Sequence, residues 1–379
     1  MTRSRNRRDN SPMQASAGPG EIRELMQHQL RQLKAFPERA REIAPFMLWG
    51  APGVGKSSIV RELCADLEIG FIDIRLAQMD PVDIRGLPVP RDERVEWLLS
   101  SLWPRDPESR GILLFDELTA VDRSLQVAVY ELILDRRLGT LYEVPPGWLM
   151  VAAGNRVTDA AVTTTMSSAL ANRFCHLEVT PDLEDWLAWA ATAGIHPDVT
   201  GFLRFRPECF HDMEGDLERG WPSARSWERV SEMLHRGELS ERGMELMACG
   251  LVGLGAGREF MGFMDWSSRI PDVERLLANP SEFEFPRRAD QRHALCSALV
   301  YYLWNGPAEH LDRRIDAFVE IGKRMPSDFA AMAMIDALGG GSTRMDERAL
   351  KLIEHPEYNA WTRIHGEAFD RHRRGALAA

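Results

Sequence analysis

The chain has 379 residues, 44% hydrophobic and 27% charged, enough to bury a full core and to divide into two or three units. A net charge of −11 with a pI near 5.5 argues against nucleic acid as the main partner. Five scattered cysteines (Cys64, Cys175, Cys209, Cys249, Cys296) form no Cys-x-x-Cys pair, which indicates reduced thiols in a cytoplasm and no zinc site.

In chain order, residues 1–20 read as a disordered tail, basic through Arg3, Arg5, Arg7 and Arg8, then small and flexible from Ala15 to Gly20. The tail lacks the apolar core of a secretory signal. Glu21 to Arg41 reads as a helix beside the first strand, Pro45-Phe-Met-Leu-Trp49. Ser57 to Leu67 has helical spacing in Ile59, Val60, Leu63 and Leu67. Between strand and helix stand Gly50, Ala51, Pro52, Gly53, Val54, Gly55, Lys56, Ser57 and Ser58, the pattern of a phosphate-binding loop. Glycines let backbone N–H groups close on phosphate oxygens, and the helix N-terminus adds partial positive charge. Lys56 would reach the β- and γ-phosphates of a nucleotide, and the Ser57 hydroxyl would take one Mg²⁺ position.

Gly111-Ile-Leu-Leu-Phe-Asp116-Glu117 is a second buried strand, ending in two carboxylates. Asp116 is placed to hold Mg²⁺ through water, and Glu117 to orient and deprotonate an attacking water. Trp148 to Ala153 is a third strand running into Gly154 and Asn155, and an Asn there can hydrogen-bond the γ-phosphate or that water. Ala169 to Phe174 is a short helix meeting a fourth strand and carries Arg173. The stretch from Pro222 to Trp227 carries Arg225. Leu87 to Leu98 reads as a hairpin turning at Arg91-Asp-Glu-Arg94. Leu138 to Gly147 reads as a second, with Gly139 ending the helix before it. Both hairpins are open to two readings, surface structure or contact with a substrate.

From Pro181 the pattern turns helical, beginning with Leu183, Trp186, Leu187 and Trp189. It continues through Glu228–Leu234, Glu241–Ala256 and Arg258–Trp266, punctuated by Pro222, Gly237 and Pro271. A Pro- and charge-rich connection, Asn279 to Arg288, precedes further helices at Gln291–Trp304, Leu311–Lys323 and Asp328–Leu338. Gly339-Gly-Gly341 breaks the pattern, and the chain ends in a basic run, Arg371 to Arg374. No stretch reaches the roughly 18 apolar residues that cross a bilayer.

Taken in this order, the motifs from about Pro45 to Leu234 resemble those of AAA+ ATPases. The resemblance makes Lys56 and Ser57 Walker A, Asp116 and Glu117 Walker B, Asn155 sensor 1, Arg173 the arginine finger and Arg225 sensor 2. Asp80-Pro-Val-Asp83-Ile-Arg-Gly86, Gly154-Asn-Arg156, and Gly250-Leu-Val-Gly253 leading to Glu259–Phe263 are similar to motifs of the MoxR branch, which also carries the two hairpins.

The implied fold is α/β: an AAA+ P-loop parallel-sheet core over 21–180, an all-helical lid over 181–288 and a helical C-terminal extension over 289–379. The implied activity is Mg²⁺-dependent ATP hydrolysis, with Glu117, Asn155, Arg173 and Arg225 catalytic, the 50–58 loop and Asp116 holding nucleotide, and Ser57 and Asp116 holding the metal. An arginine finger serves the neighbouring subunit's nucleotide, so the working unit is a homo-oligomer, a hexameric ring. MoxR-like proteins are paired with a von Willebrand factor A domain partner and remodel a protein client. Two alternatives stay open: a nucleic-acid motor of the same fold, and a nucleotide-gated structural switch or assembly factor. Against the motor, the insert from Gly86 to Leu98 has Arg91 and Arg94 against Asp92, Glu93 and Glu96, which is no cationic funnel.

Overall fold

Strands that pair side by side in parallel need crossover connections of helix length, which this chain supplies between its apolar strands. The computed structural model describes residues 15–92, 94–156, 166, 168–214, 217–267, 273–305, 308–338 and 347–376. Arg3 to Arg8, Glu93 of the hairpin turn, Pro271 and the Gly339–Gly341 break lie outside the described residues. The chain forms two units, residues 1–180 and 181–379.

The first unit runs β1 (Ser16–Ala17), α1 (Pro19–Ala35), β2 (Phe46–Trp49), α2 (Lys56–Asp66), β3 (Gly70–Arg75), α3 (Pro81–Arg85), β4 (Leu87–Arg91), β5 (Arg94–Leu98) and β6 (Arg110–Asp116). It continues with α4 (Arg123–Asp135), β7 (Arg137–Leu138), β8 (Tyr142–Glu143), β9 (Gly147–Gly154), α5 (Ser168–Ala171) and β10 (Cys175–Val179). Six strands form one sheet in the order β1-β10-β2-β9-β6-β3, each pair parallel. From β2 the chain crosses through α2 to β3 at the far edge, while β10 and β9 flank β2. The carboxyl end of β2 is therefore a topological switch point, where such sheets open a crevice.

Both faces of the sheet are covered, so its strands are apolar without alternation. Met47, Leu113, Phe115, Met150 and Ala152 share a core with Leu125, Val129, Leu132 and Ile133 of α4. On the other face, α1 and α2 pack on β9 and β6 through buried Ile22, Met26, Leu33, Ile59, Val60 and Leu63.

Three expectations are corrected here. The tail does not extend to residue 20: Ser16 and Ala17 pair with Glu178 and Val179 at the open edge of β10, and α1 already begins at Pro19. That helix stops at Ala35, because Pro37 starts a 3-10 turn through Glu42. Gly139 does not end α4. Arg136 does so in the left-handed region, φ 56°, its buried guanidinium donating to Pro145 O and Trp148 O at 2.9 and 2.8 Å. Gly139 instead lies in the turn between β7 and β8. Both predicted hairpins form: β4 pairs antiparallel with β5, and β7 with β8.

The second unit is helical: α6 (Leu183–Ala193), α7 (Pro197–Phe205), α8 (Ala224–Arg236), α9 (Glu241–Val252), α10 (Leu254–Ser267) and α11 (Val273–Ala278), then α12 (Ala289–Trp304), α13 (Leu311–Arg324), α14 (Ser327–Ala337), α15 (Glu347–Ile353) and α16 (Tyr358–Ala376). Gly253, at φ +81°, separates α9 from α10, where one helix through Ala256 was expected. Two apolar cores divide near α11. One joins Trp186, Phe202, Trp227 and Phe260, the other Leu276, Leu299, Phe318 and Trp361. No boundary falls at 288, because α12 packs on α7 of the first group and on α14 of the second. Among the described residues no helix is long and apolar enough to cross a membrane.

His293 on α12 sits between the Phe205 and Phe329 rings, 6.2 and 5.3 Å away, with Nδ1 buried and unpartnered. Burial, and then the nearby Arg204 charge, push its imidazole from 6.5 down to about 4. The folded state thus excludes a proton that the unfolded chain takes up, so stability is full above pH 6.5 and falls as pH drops toward 4. His293→Phe removes the titrating group and the orphaned nitrogen. Denaturant unfolding at pH 7 and pH 5 should show the wild type losing about 1–2 kcal/mol more than the variant; equal losses would refute this assignment.

Candidate functional site

The loop from Gly50 to Gly55 leaves β2 at the switch point and turns directly into α2. Gly55 caps that helix in the left-handed region, φ +92°. Open space surrounds its Cβ position, so glycine is required there for its backbone conformation. The first N–H groups of α2 have no carbonyl of their own helix to bind and carry the positive end of its dipole. Lys56 begins the helix with its side chain only 8% exposed. Its ammonium donates to Gly50 O at 2.6 Å, Ala51 O at 3.0 Å and Asn155 Oδ1 at 3.0 Å. A glycine loop, a helix N-terminus and a buried cation converge on one place, and their chemistry is that of an anion site.

The next residue completes a second set. Ser57 Oγ donates to Asp116 Oδ2 at 2.5 Å, and Asp116 Oδ1 accepts from the Glu117 amide at 2.9 Å. A hydroxyl and a carboxylate are hard oxygen donors that suit Mg²⁺, which keeps few protein ligands and takes the rest from water and phosphate. Glu117 lies in the left-handed region, φ 60°, at a cost of about 1–2 kcal/mol for a residue with a Cβ. That turn takes the chain off β6 while Leu118 N still bonds Ala153 O of β9 at 2.9 Å.

Asn155 follows β9. Its amide donates to Thr119 Oγ1 at 3.2 Å, and Thr119 Oγ1 donates to Asn155 O at 3.4 Å. The two strands come so close here that a Cβ on Gly154 would stand 2.8 Å from the Thr119 side chain and 2.7 Å from Met47. Sequence reading missed Thr119; a hydroxyl residue two positions after the acidic pair was its only local sign. Arg156 is ion-paired with Glu178 of β10.

Lys56, Ser57, Asp116, Glu117 and Asn155 thus come together at the carboxyl ends of β2, β6 and β9. Ser58, also expected at the nucleotide, is exposed on the first turn of α2. Arg173 is elsewhere: it is exposed on the turn between α5 and β10, at the amino end of a strand whose far residue, Val179, flanks Gly50. Five residues of strand separate those ends, about 16 Å at ~3.3 Å per residue. Arg225 belongs to the second unit. It is exposed on the first turn of α8, which Ser223 and Ser226 cap reciprocally and which buried Trp227 anchors by donating to Cys209 O at 2.8 Å.

Residues 45–174 match the family model described as AAA domain (dynein-related subfamily), and this match supports an AAA+ ATPase. Among solved structures, NtrX from Brucella abortus in complex with ADP is 17% identical over 93% of this chain and 68% of its own, with a TM-score of 0.34. A mutant form of RuvB from Thermotoga maritima is 14% identical over 76% of this chain and 86% of its own, also with a TM-score of 0.34. Likenesses of this degree bear on neither ligand nor activity.

Replacing Thr119 by Val keeps the shape and leaves the Asn155 amide without its acceptor. The first unit should lose about 1–3 kcal/mol in denaturant unfolding, and exchange of the Asn155 amide should quicken. An unchanged exchange rate would show that Thr119 does not hold Asn155.

Proposed function

We propose that this chain is a Mg²⁺-dependent ATP hydrolase of the AAA+ type, in its MoxR-like branch, that uses nucleotide turnover to remodel a protein client. The observation that carries the reading is the junction of Lys56, Asn155, Ser57, Asp116 and Glu117 at one switch point. Lys56 binds the β- and γ-phosphates in exchange for carbonyl partners. Ser57 and Asp116 would hold Mg²⁺, which when bound neutralises charge on the phosphate oxygens. Glu117 orients water and takes its proton, and Asn155 hydrogen-bonds the γ-phosphate or that water. Arg225 is read as sensor 2 on its sequence motif.

The site of Arg173, a strand's length from its own phosphate loop, supports action on the nucleotide of a neighbouring copy. The assembly is then a ring, taken as a hexamer, in which arginine meets charge spread over the equatorial oxygens, worth about 10³–10⁵ in rate. The hairpin β4–β5 supports a client. Leu87, Val95, Trp97 and Leu98 are each between 43% and 60% exposed, so the hairpin presents apolar surface beside a charged turn. A von Willebrand factor A domain partner and a cytoplasmic location complete the reading.

Glu117→Gln should bind ATP normally and lose more than about 100-fold in turnover, the size of a missing general base, whereas Lys56→Ala should not bind. Client protein should then co-purify with the Glu117→Gln form in ATP. Wild-type hydrolysis by that variant would refute the base assignment. Arg173→Ala should keep ATP affinity and lose hydrolysis, and mixing it with Lys56→Ala protein should restore part of it. Co-assembled rings that recover nothing would exclude action between copies.

A further inference from the structure

Strands β10 and β2 lie side by side with His176 opposite Met47 and Glu178 opposite Trp49. His176 and Trp49 are thus diagonal neighbours on one face, within reach of large side chains. Trp49 Nε1 donates to His176 Nδ1 at 2.8 Å. An indole nitrogen only donates, so Nδ1 bears no proton and the ring carries it on Nε2. Nε2 in turn donates to Ala171 O at 2.7 Å. The Trp49 and His176 rings are almost parallel, 15° apart, with centroids at 5.9 Å.

The two ends of this chain of contacts are what make it notable. Trp49 is the residue immediately before Gly50 of the phosphate loop. Ala171 closes α5, two residues before Arg173. With four residues, α5 is too short to hold itself. Of the turn's backbone bonds, Phe174 N to Ala171 O is the longest at 3.3 Å, against 3.0 Å for Arg173 N to Leu170 O and 3.1 Å for Asn172 N to Ser168 O. The His176 contact at 2.7 Å is the short one on that carbonyl.

We propose that His176 is a positioning residue, which fixes the turn bearing Arg173 to the strand that ends in the phosphate loop. Movement of that loop with nucleotide state passes through Trp49 and His176 to the arginine offered to the next copy. The inference rests on the reading of Arg173 as serving a neighbouring copy.

The two imidazole nitrogens can be replaced in role by one side-chain amide, whose oxygen accepts from Trp49 while its nitrogen donates to Ala171 O. A phenyl ring fills the same space and does neither. In the full-length chain, His176→Phe should lower kcat for ATP about 10- to 100-fold, the scale for misplacing a group by about 1 Å. Its KM and ADP affinity should stay within about twofold. His176→Gln should recover turnover to within about threefold of wild type.

Mixing His176→Phe with Lys56→Ala protein should restore hydrolysis, because the second copy offers a well-placed Arg173 to the first copy's intact phosphate loop. Wild-type turnover by Arg173→Ala would overturn the arginine reading, and this inference with it. An inactive Arg173→Ala beside a fully active His176→Phe would overturn the inference alone. So would a His176→Phe defect that Gln does not relieve, or one that mixing does not rescue, since the residue would then act on its own subunit's loop or on folding.

Discussion

The buried ammonium of Lys56 is the constraint around which the first unit is arranged. A cation removed from water must be paired or hydrogen-bonded on its donors. Here Gly50 O, Ala51 O and Asn155 Oδ1 supply the acceptors. Those three atoms come from the loop after β2 and the residue after β9, strands that are neighbours in the sheet. The lysine therefore ties the loop after β2 to the residue after β9. The reach works because α2 starts at Lys56 itself, with the left-handed Gly55 turning the chain immediately before it.

Around that centre the polar groups are held by contacts made at the ends of strands. Asp116 is engaged on both oxygens, by Ser57 Oγ and by the Glu117 amide. Glu117 is held in a backbone conformation that β6 alone would not give it. The strain is tolerated because Leu118 and Thr119, the next two residues, are tied to Ala153 and Asn155. These contacts hold each polar group in one arrangement through its own neighbours.

The helical unit follows a different logic. Its two cores meet along α12, which contributes Ala294 to one and Leu295, Leu299 and Leu303 to the other. Between α7 and α14, Arg204 forms a buried ion pair with Asp336, and Glu184 stands 3.8 Å from the same guanidinium. Such a pair contributes little net stability, because desolvation offsets the attraction, but removing one partner would leave the other buried and unpaired. Arg225 stays exposed on α8 while Trp227, two residues on, is fully buried, so the packing presents the arginine at a fixed place on the surface.

The phosphate loop, the acidic strand end, the parallel α/β core and the β4–β5 hairpin were legible in the sequence. Each is encoded by neighbours along the chain: glycines at set intervals, apolar runs of strand length, or a charged turn between extended residues. What the sequence left unread depends on partners far away in it. Ser16 and Ala17 have no strand signal of their own and pair only because β10 offers an open edge. Arg136 takes a glycine's conformation because two carbonyls beyond the hairpin accept its guanidinium. Helix α16, 19 residues long, buries Trp361, His365 and Ala368 along a narrow stripe among charges, a pattern too sparse to announce a helix. His176 and Trp49 are 127 positions apart. Local spacing determined which groups the chain possesses and the turns that present them. Only the tertiary structure decided which groups meet, because the strand order 10-2-9-6 brings together segments whose distance in sequence carries no information about their distance in space.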